Sequence, residues 1–300
     1  MPGKRSGRFP ADGLGAGRGS RFRFVPDVQV KHAGEVAYRE AKKGDGSNRR
    51  SLPVLLIHGY PESSFMWRHL LPPLAESGRR AVAPDLSGYG NSPPFLSGTW
   101  ESHVEALEEF RNDIGLDRVA LVVHDWGGLI GMRWACDHPD AVGALVVSNT
   151  GFFPDGKWHG LASALRTEGA GEKVVDALDR DGFAAMLRQT GRGFGDDAID
   201  DYWQAYETEE GRRAQLALYR SGDFEKLEPY QGRLAELGVP TLILWGEKDT
   251  FAPVAGAYRF KKEIPGSKLV LIPDGGHFVF EDDPDRCATE IVGFLDEAGV

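Results

Sequence analysis

Val119-Ala-Leu-Val-Val-His-Asp125-Trp-Gly-Gly128 is the stretch that decides the fold. Residues 119–123 form an unbroken apolar run, short enough for a strand and flanked by turn residues. Such a run predicts a buried parallel strand. The Gly-rich turn then leads into a helix over 127–137, which stops near Pro139. Strand, sharp turn and helix make a nucleophile elbow, which raises one side chain above the end of a parallel sheet. Here that side chain is Asp125, where a serine is usual. A carboxylate with an ordinary pKa of about 3.9 is already ionised at neutral pH. It needs no base to act as a nucleophile. It can attack a saturated carbon, form an ester, and be released when water attacks its own carbonyl. The position therefore points to epoxides or alkyl halides more than to carboxylic esters. A helix N-cap is the structural alternative for the same residue.

Outward from the elbow, strands and helices alternate. A short apolar run at 52–57 and the stretches 80–84 and 144–148 read as strands, and 65–77 and 100–112 read as helices. Residues 21–30 and 35–41 read as a hairpin turning at Ala33-Gly34, and 42–50 as a polar loop. The alternation resumes with a strand at 241–245, a helix at 254–263, a strand at 268–272 and a helix at 284–297. Such alternation is the mark of an α/β protein with a parallel sheet. Residues 151–238 interrupt it with helical stretches at 172–178, 183–189, 198–206 and 211–219. The expected architecture is a mostly parallel, doubly wound α/β sheet built from residues 21–150 and 239–300. Residues 151–238 form a helical cap insertion, and residues 1–20 a disordered tail.

Composition narrows the setting. A net charge of −10 over 300 residues argues against a nucleic-acid or anionic-membrane partner. No run of 18 apolar residues exists to span a membrane. Residues 1–20 are rich in Gly and Arg and lack the apolar segment of a signal peptide. Cys136 and Cys287 lie far apart in predicted helices, without disulfide-framework or metal-site spacing. A reducing, cytoplasmic location is expected, as a monomer or homodimer.

Three predicted strand ends carry polar residues that a core does not need: Asp125, Asp249 in Trp245-Gly-Glu-Lys-Asp249, and His277 in Gly275-Gly-His277. The carboxyl ends of parallel strands converge on the ligand crevice. Singly, Asp249 reads equally as a turn residue and His277 as a loop residue. Together, the order nucleophile, acid, histidine is that of the α/β-hydrolases. The chain resembles that superfamily, in the branch of epoxide hydrolases and haloalkane dehalogenases. The resemblance runs through His58-Gly-Tyr-Pro-Glu-Ser-Ser-Phe-Met-Trp-Arg68, Asp85-Leu-Ser-Gly-Tyr-Gly-Asn-Ser92, His124-Asp-Trp-Gly-Gly128, Trp245-Gly-Glu-Lys-Asp249 and Gly275-Gly-His277. It implies an oxyanion hole from the backbone N–H groups of Tyr60 and Trp126. It also implies a small apolar organic substrate, an epoxide or alkyl halide, with water as co-substrate. No metal or organic cofactor is implied.

Epoxide and halide differ in the leaving atom. An epoxide oxygen needs a proton donor, and Tyr219 in Leu218-Tyr-Arg220 resembles the cap tyrosine of epoxide hydrolases. A second cap tyrosine is missing from 151–198, where His159, or Trp158, takes its place. A halide needs N–H donors, which Trp126 and the cap residues Trp158 and Trp203 could supply. Tyr60 stands where a halide-binding asparagine is common. The epoxide is the favoured expectation and haloalkane dehalogenation the alternative. A non-catalytic ligand receptor on the same scaffold is the third reading.

Overall fold

The computed structural model describes residues 28–44, 51–95 and 97–300. Eight strands form one sheet: β1 (Val30–Ala33), β2 (Val36–Ala41), β3 (Val54–Ile57), β4 (Ala81–Pro84), β5 (Val119–His124), β6 (Val142–Ser148), β7 (Thr241–Gly246) and β8 (Lys268–Ile272). Their order is β1-β2-β4-β3-β5-β6-β7-β8. β1, β2 and β4 pair antiparallel, and every pairing from β4 through β8 is parallel. The central strands β3, β5, β6 and β7 are buried along their whole length. That is why they read as continuous apolar runs and not as alternating patterns.

The helices between strands are α1 (Leu71–Glu76), α2 (Trp100–Asp113) and α3 (Trp126–Asp137). Between β6 and β7 run α4 (Gly160–Arg166), α5 (Ala170–Ala177), α6 (Arg180–Thr190), α7 (Asp196–Glu207), α8 (Glu209–Ser221) and α9 (Arg233–Glu236). After β7 come α10 (Ala255–Glu263), α11 (Val279–Asp282) and α12 (Pro284–Glu297). None of the described helices is long and apolar enough to cross a membrane.

Several boundaries differ from those expected. The first strand is only Val30–Ala33, and residues 21–27 of its expected span lie outside the described residues, as do the tail 1–20 and residues 45–50 of the polar loop. The helix expected over 65–77 is two pieces, a 3-10 helix at Ser64–His69 followed by α1. Pro72 and Pro73 cause the break, because proline fits the first turn of a helix and not its interior. Residues 151–238 hold two α-helices beyond the four expected, α4 and α9, and a 3-10 helix at Phe224–Tyr230. α4 is only seven residues long and is capped by His159, an unusual N-cap whose ring accepts the Ala162 N–H.

The sheet brings five loops to one edge. Tyr60 follows β3, Asp125 follows β5, Asn149 follows β6, Asp249 follows β7 and His277 follows β8. All five strands are parallel, so all five loops leave the same end of the sheet.

Candidate active site

Asp125 is where β5 turns into α3, and its backbone is forced into φ 47°, ψ −121°. A non-glycine residue held there costs about 1–3 kcal/mol. Burying the Val and Leu side chains of β5 contributes about 1.5–3 kcal/mol each, so the strand readily holds the strain. The turn also needs its glycines. A Cβ on Gly127 would lie 2.2 Å from the Ile57 carbonyl oxygen, and one on Gly128 2.2 Å from Thr150 Oγ1. Asp125 occupies the N-cap position of α3, but its side chain makes no cap hydrogen bond. Its carboxylate is free to serve something else.

What it serves is visible in its contacts. The Tyr60 N–H donates to Asp125 Oδ1 at 2.8 Å, as an oxyanion donor should. Asp125 Oδ2 lies 3.4 Å from His277 Nε2, and 21% of the side chain stays exposed toward a cavity. His277 Nδ1 bonds Asp249 Oδ2 at 2.8 Å. The three residues expected from the strand ends are thus brought into one line. Burial works to raise the Asp125 pKa, but the hydrogen bond and charge of His277 outweigh it and hold the carboxyl below its ordinary value. Burial likewise works against Asp249, and His277 with Asn149 hold it low. For His277, burial favours the neutral ring, yet the two carboxylates raise its pKa well above the usual value.

Asp249 is fully engaged. Its Oδ1 accepts from the N–H groups of Phe251 (2.7 Å) and Ala252 (2.9 Å). Its Oδ2 accepts from Asn149 Nδ2 at 2.7 Å, besides His277. Asn149 went unnoticed in the sequence. It sits at the end of β6 in the left-handed region (φ 44°), also donates to the Gly276 carbonyl at 3.2 Å, and accepts the Gly246 N–H at 3.3 Å. It therefore ties the acid loop to the histidine loop. The available signal was its place: Ser148-Asn149-Thr150 is a polar trio at a strand end. A second overlooked pair lies behind Asp125. Glu62 and His124 are both buried, 3.3 Å apart and off the hydrogen-bond axis, and burial raises the Glu62 pKa.

His58 holds the Gly59-Tyr60 loop in shape. Its Nδ1 donates to the Gly59 carbonyl and its Nε2 accepts the Leu86 N–H, both at 2.9 Å. Burial pushes its pKa down to about 4, so the ring keeps this neutral tautomer.

Over Asp125 lies a cavity of about 260 Å³, walled largely by Trp126, Trp158, His159, Tyr219, Phe224 and Phe251. A smaller lobe of about 40 Å³ opens past His159, Tyr219, Phe251 and His277 toward Leu161 and Met186. Trp126 stacks on Trp158 with ring centroids 5.5 Å apart, and Tyr219 meets both rings edge-on. Burial and the Asp125 charge raise the Tyr219 pKa well above its usual value, so its hydroxyl remains a proton-bearing donor beside the Trp126 side chain. Burial lowers the His159 pKa. Its Nδ1 accepts the Ala162 N–H at 3.3 Å, which leaves the ring proton on Nε2. Of the expected cap residues, Tyr219, His159 and Trp158 line the cavity. Trp203 does not; it stacks on Tyr206 at 5.6 Å and 7°, within the helical packing.

The fold and this arrangement define a hydrolase class: the chain belongs to the α/β-hydrolase family, whose alpha/beta hydrolase fold description matches residues 53–284. Within it, the similarity is to the dehalogenase branch. Haloalkane dehalogenase 2 of Mycobacterium tuberculosis is 32% identical over 285 residues, spanning 90% of this chain and 97% of that protein. A haloalkane dehalogenase of Psychrobacter cryohalolentis is 30% identical over 293 residues, spanning 91% and 93%. Among solved structures, DBJA aligns with a TM-score of 0.78 at 25% identity, over 91% of this chain and 98% of that one.

Proposed function

We propose that this hydrolase is a haloalkane dehalogenase working through an aspartyl ester. The observation that carries the proposal is the Asp125 carboxylate, with one oxygen held by a backbone N–H and the other facing His277 and an aromatic cavity. The identity to proteins named haloalkane dehalogenases supports halide over the epoxide favoured from Tyr219 alone. The cavity supports the same choice. A departing halide needs donors that hold it without giving up a proton, and Trp126 and neutral His159 bring N–H groups alongside the Tyr219 hydroxyl. Tyr219 is also the one cap tyrosine among the described cavity residues, whereas epoxide opening commonly draws on a pair.

In the first step Asp125 Oδ2 attacks the halogen-bearing carbon. The new C–O bond forms as the C–halogen bond breaks, and the halide leaves with the electron pair. Esterification removes the Asp125 charge and its hydrogen bond to His277, two of the causes that hold the imidazole protonated. His277 then loses its proton more easily and can act as a base. In the second step it takes a proton from water. The hydroxide adds to the Asp125 carbonyl carbon, and the Tyr60 N–H bonds the oxyanion. Collapse expels the alkoxide, which takes a proton from His277, and leaves Asp125 as the acid, whose proton passes to water to regenerate the carboxylate. Asp249 balances the imidazolium charge throughout. The net products are an alcohol, a halide ion and a proton.

The role of residues 151–238 as the cap that selects substrates belongs to this proposal. So does a cytoplasmic location, supported by the acidic composition and two buried free cysteines. Parallel assays with 1,2-dibromoethane and styrene oxide test the function. Bromide release without diol is expected. Diol without bromide overturns the dehalogenase reading in favour of epoxide hydrolysis, for which Tyr219 is a ready proton donor. The His277→Gln protein should retain a stable alkyl adduct on Asp125, read by peptide mass.

A further inference from the structure

Two buried charged clusters join helix α7 of the cap to the core, and neither has a part in the chemistry above. In the first, Arg39 of β2 donates to Asp201 of α7 at 2.6 Å and to Ser64 Oγ at 2.6 Å. Ser63 Oγ donates to the other Asp201 oxygen. In the second, Tyr202 of α7 donates to Glu281 at 2.6 Å, and Arg68 holds the same carboxylate with two bonds of 2.6 and 2.7 Å. Arg39, Asp201 and Glu281 are all 9% exposed or less. Buried ion pairs add little net stability over apolar packing, so their use here calls for a purpose beyond holding the cap down.

Their positions supply one. Ser63 is three residues after Tyr60, whose N–H holds Asp125, and the Glu62 N–H closes the intervening turn on the Gly59 carbonyl at 3.0 Å. Glu281 is four residues after His277, and its N–H bonds the Phe278 carbonyl at 3.0 Å. Ser64 and Arg68 lie on one 3-10 helix, which acts as a crossbar between the two loops. Two adjacent cap residues thus grip the oxyanion loop and the histidine loop at once.

We infer that Asp201 and Tyr202 are positioning residues that brace the Tyr60 oxyanion donor against the His277 loop, so that the cap sets the geometry of ester hydrolysis. This rests on the aspartyl-ester mechanism proposed above. The brace has a kinetic signature. During alkylation negative charge leaves Asp125, so the Tyr60 N–H bond weakens and slightly opposes the step. During hydrolysis charge builds on the same oxygen, and the bond strengthens. A displaced Tyr60 N–H therefore slows hydrolysis and spares or speeds alkylation. General loosening of the cap slows both.

Rapid quench with 1,2-dibromoethane, followed by mass spectrometry of the Asp125 peptide, measures both rate constants in the full chain. Ser63→Ala, Asp201→Asn and Tyr202→Phe should each lengthen the ester lifetime about tenfold while alkylation is undiminished, with kcat and KM falling together. Ser63→Ala and Tyr202→Phe each remove a single hydroxyl, so the test stands even if Asp201→Asn does not fold. Variants with lowered Tm but wild-type ester lifetime overturn the brace alone, as does an equal slowing of both steps. A wild-type protein that forms no adduct and releases no bromide overturns the underlying mechanism, and the brace with it.

Discussion

The sheet edge and the helical segment 151–238 meet at one cavity but are held by different forces. At the edge, Asp125 and Asp249 hang from strands buried along their whole length and His277 from the half-buried outer strand β8, and nearly every polar atom there has a fixed partner. The cap contributes Tyr219, His159 and Trp158 mainly through ring contacts, with hydrogen bonds at its base. Directional bonds fix atoms to a few tenths of an ångström. Ring packing fixes shape and admits exchange of one ring for another. Under the proposed function, the contrast places reaction type at the edge and substrate choice in the cap.

The comparison breaks most easily at Asp125. Asp125→Ala should lower bromide release on the order of 10⁴-fold or more, measured at saturating 1,2-dibromoethane. If activity survives, the edge does not carry the reaction.

Acid pH separates the two steps next. Asp125 is held below its ordinary pKa, so alkylation should persist as pH falls toward that value. Hydrolysis needs neutral His277, whose pKa is raised, so it should fall about tenfold per pH unit below the pKa of the alkylated enzyme. Quenched samples at about pH 5 should therefore hold more Asp125 ester than samples at about pH 8. Equal ester at both would sink the assignment of His277 as the base.

In the cap, Tyr219→Phe removes one donor from the cavity and should cut bromide release about tenfold, the worth of a hydrogen bond to an anion. Asn149→Ala, at the edge, leaves Asp249 Oδ2 without its amide partner and should cost about 1–3 kcal/mol of stability in denaturant melts. The smallest effect is expected at Trp203, packed on Tyr206 away from the cavity. Trp203→Phe should leave bromide release unchanged, and a loss matching that of Tyr219→Phe would show that the cap's two layers are coupled.

Much of the edge was legible because parallel strands announce themselves. Residues 119–123 and 242–245 are apolar throughout, and the polar turn that follows each run carries the site aspartate. The 3-10 helix at Ser64–His69 was less legible, since its amphipathic pattern merges with that of α1 until Pro72 and Pro73 break it. Asn149 was missed because nothing in its neighbours reveals that three loops converge on it. Trp203 and Trp158 looked alike in the chain, yet one faces Tyr206 and the other the cavity. The choice of halide over epoxide in the proposed function rests more on similarity to named dehalogenases than on any motif.

Local order along the chain was enough to settle the layered α/β architecture, the elbow and the identity of its carboxylate. Those depend on periodicity and on tight turns, which are properties of adjacent residues. Which cap rings face Asp125, and which cap residues reach Arg39 and Glu281, came only with the folded molecule. Such contacts join residues as many as 162 positions apart, and helix packing, which no local pattern encodes, decides them.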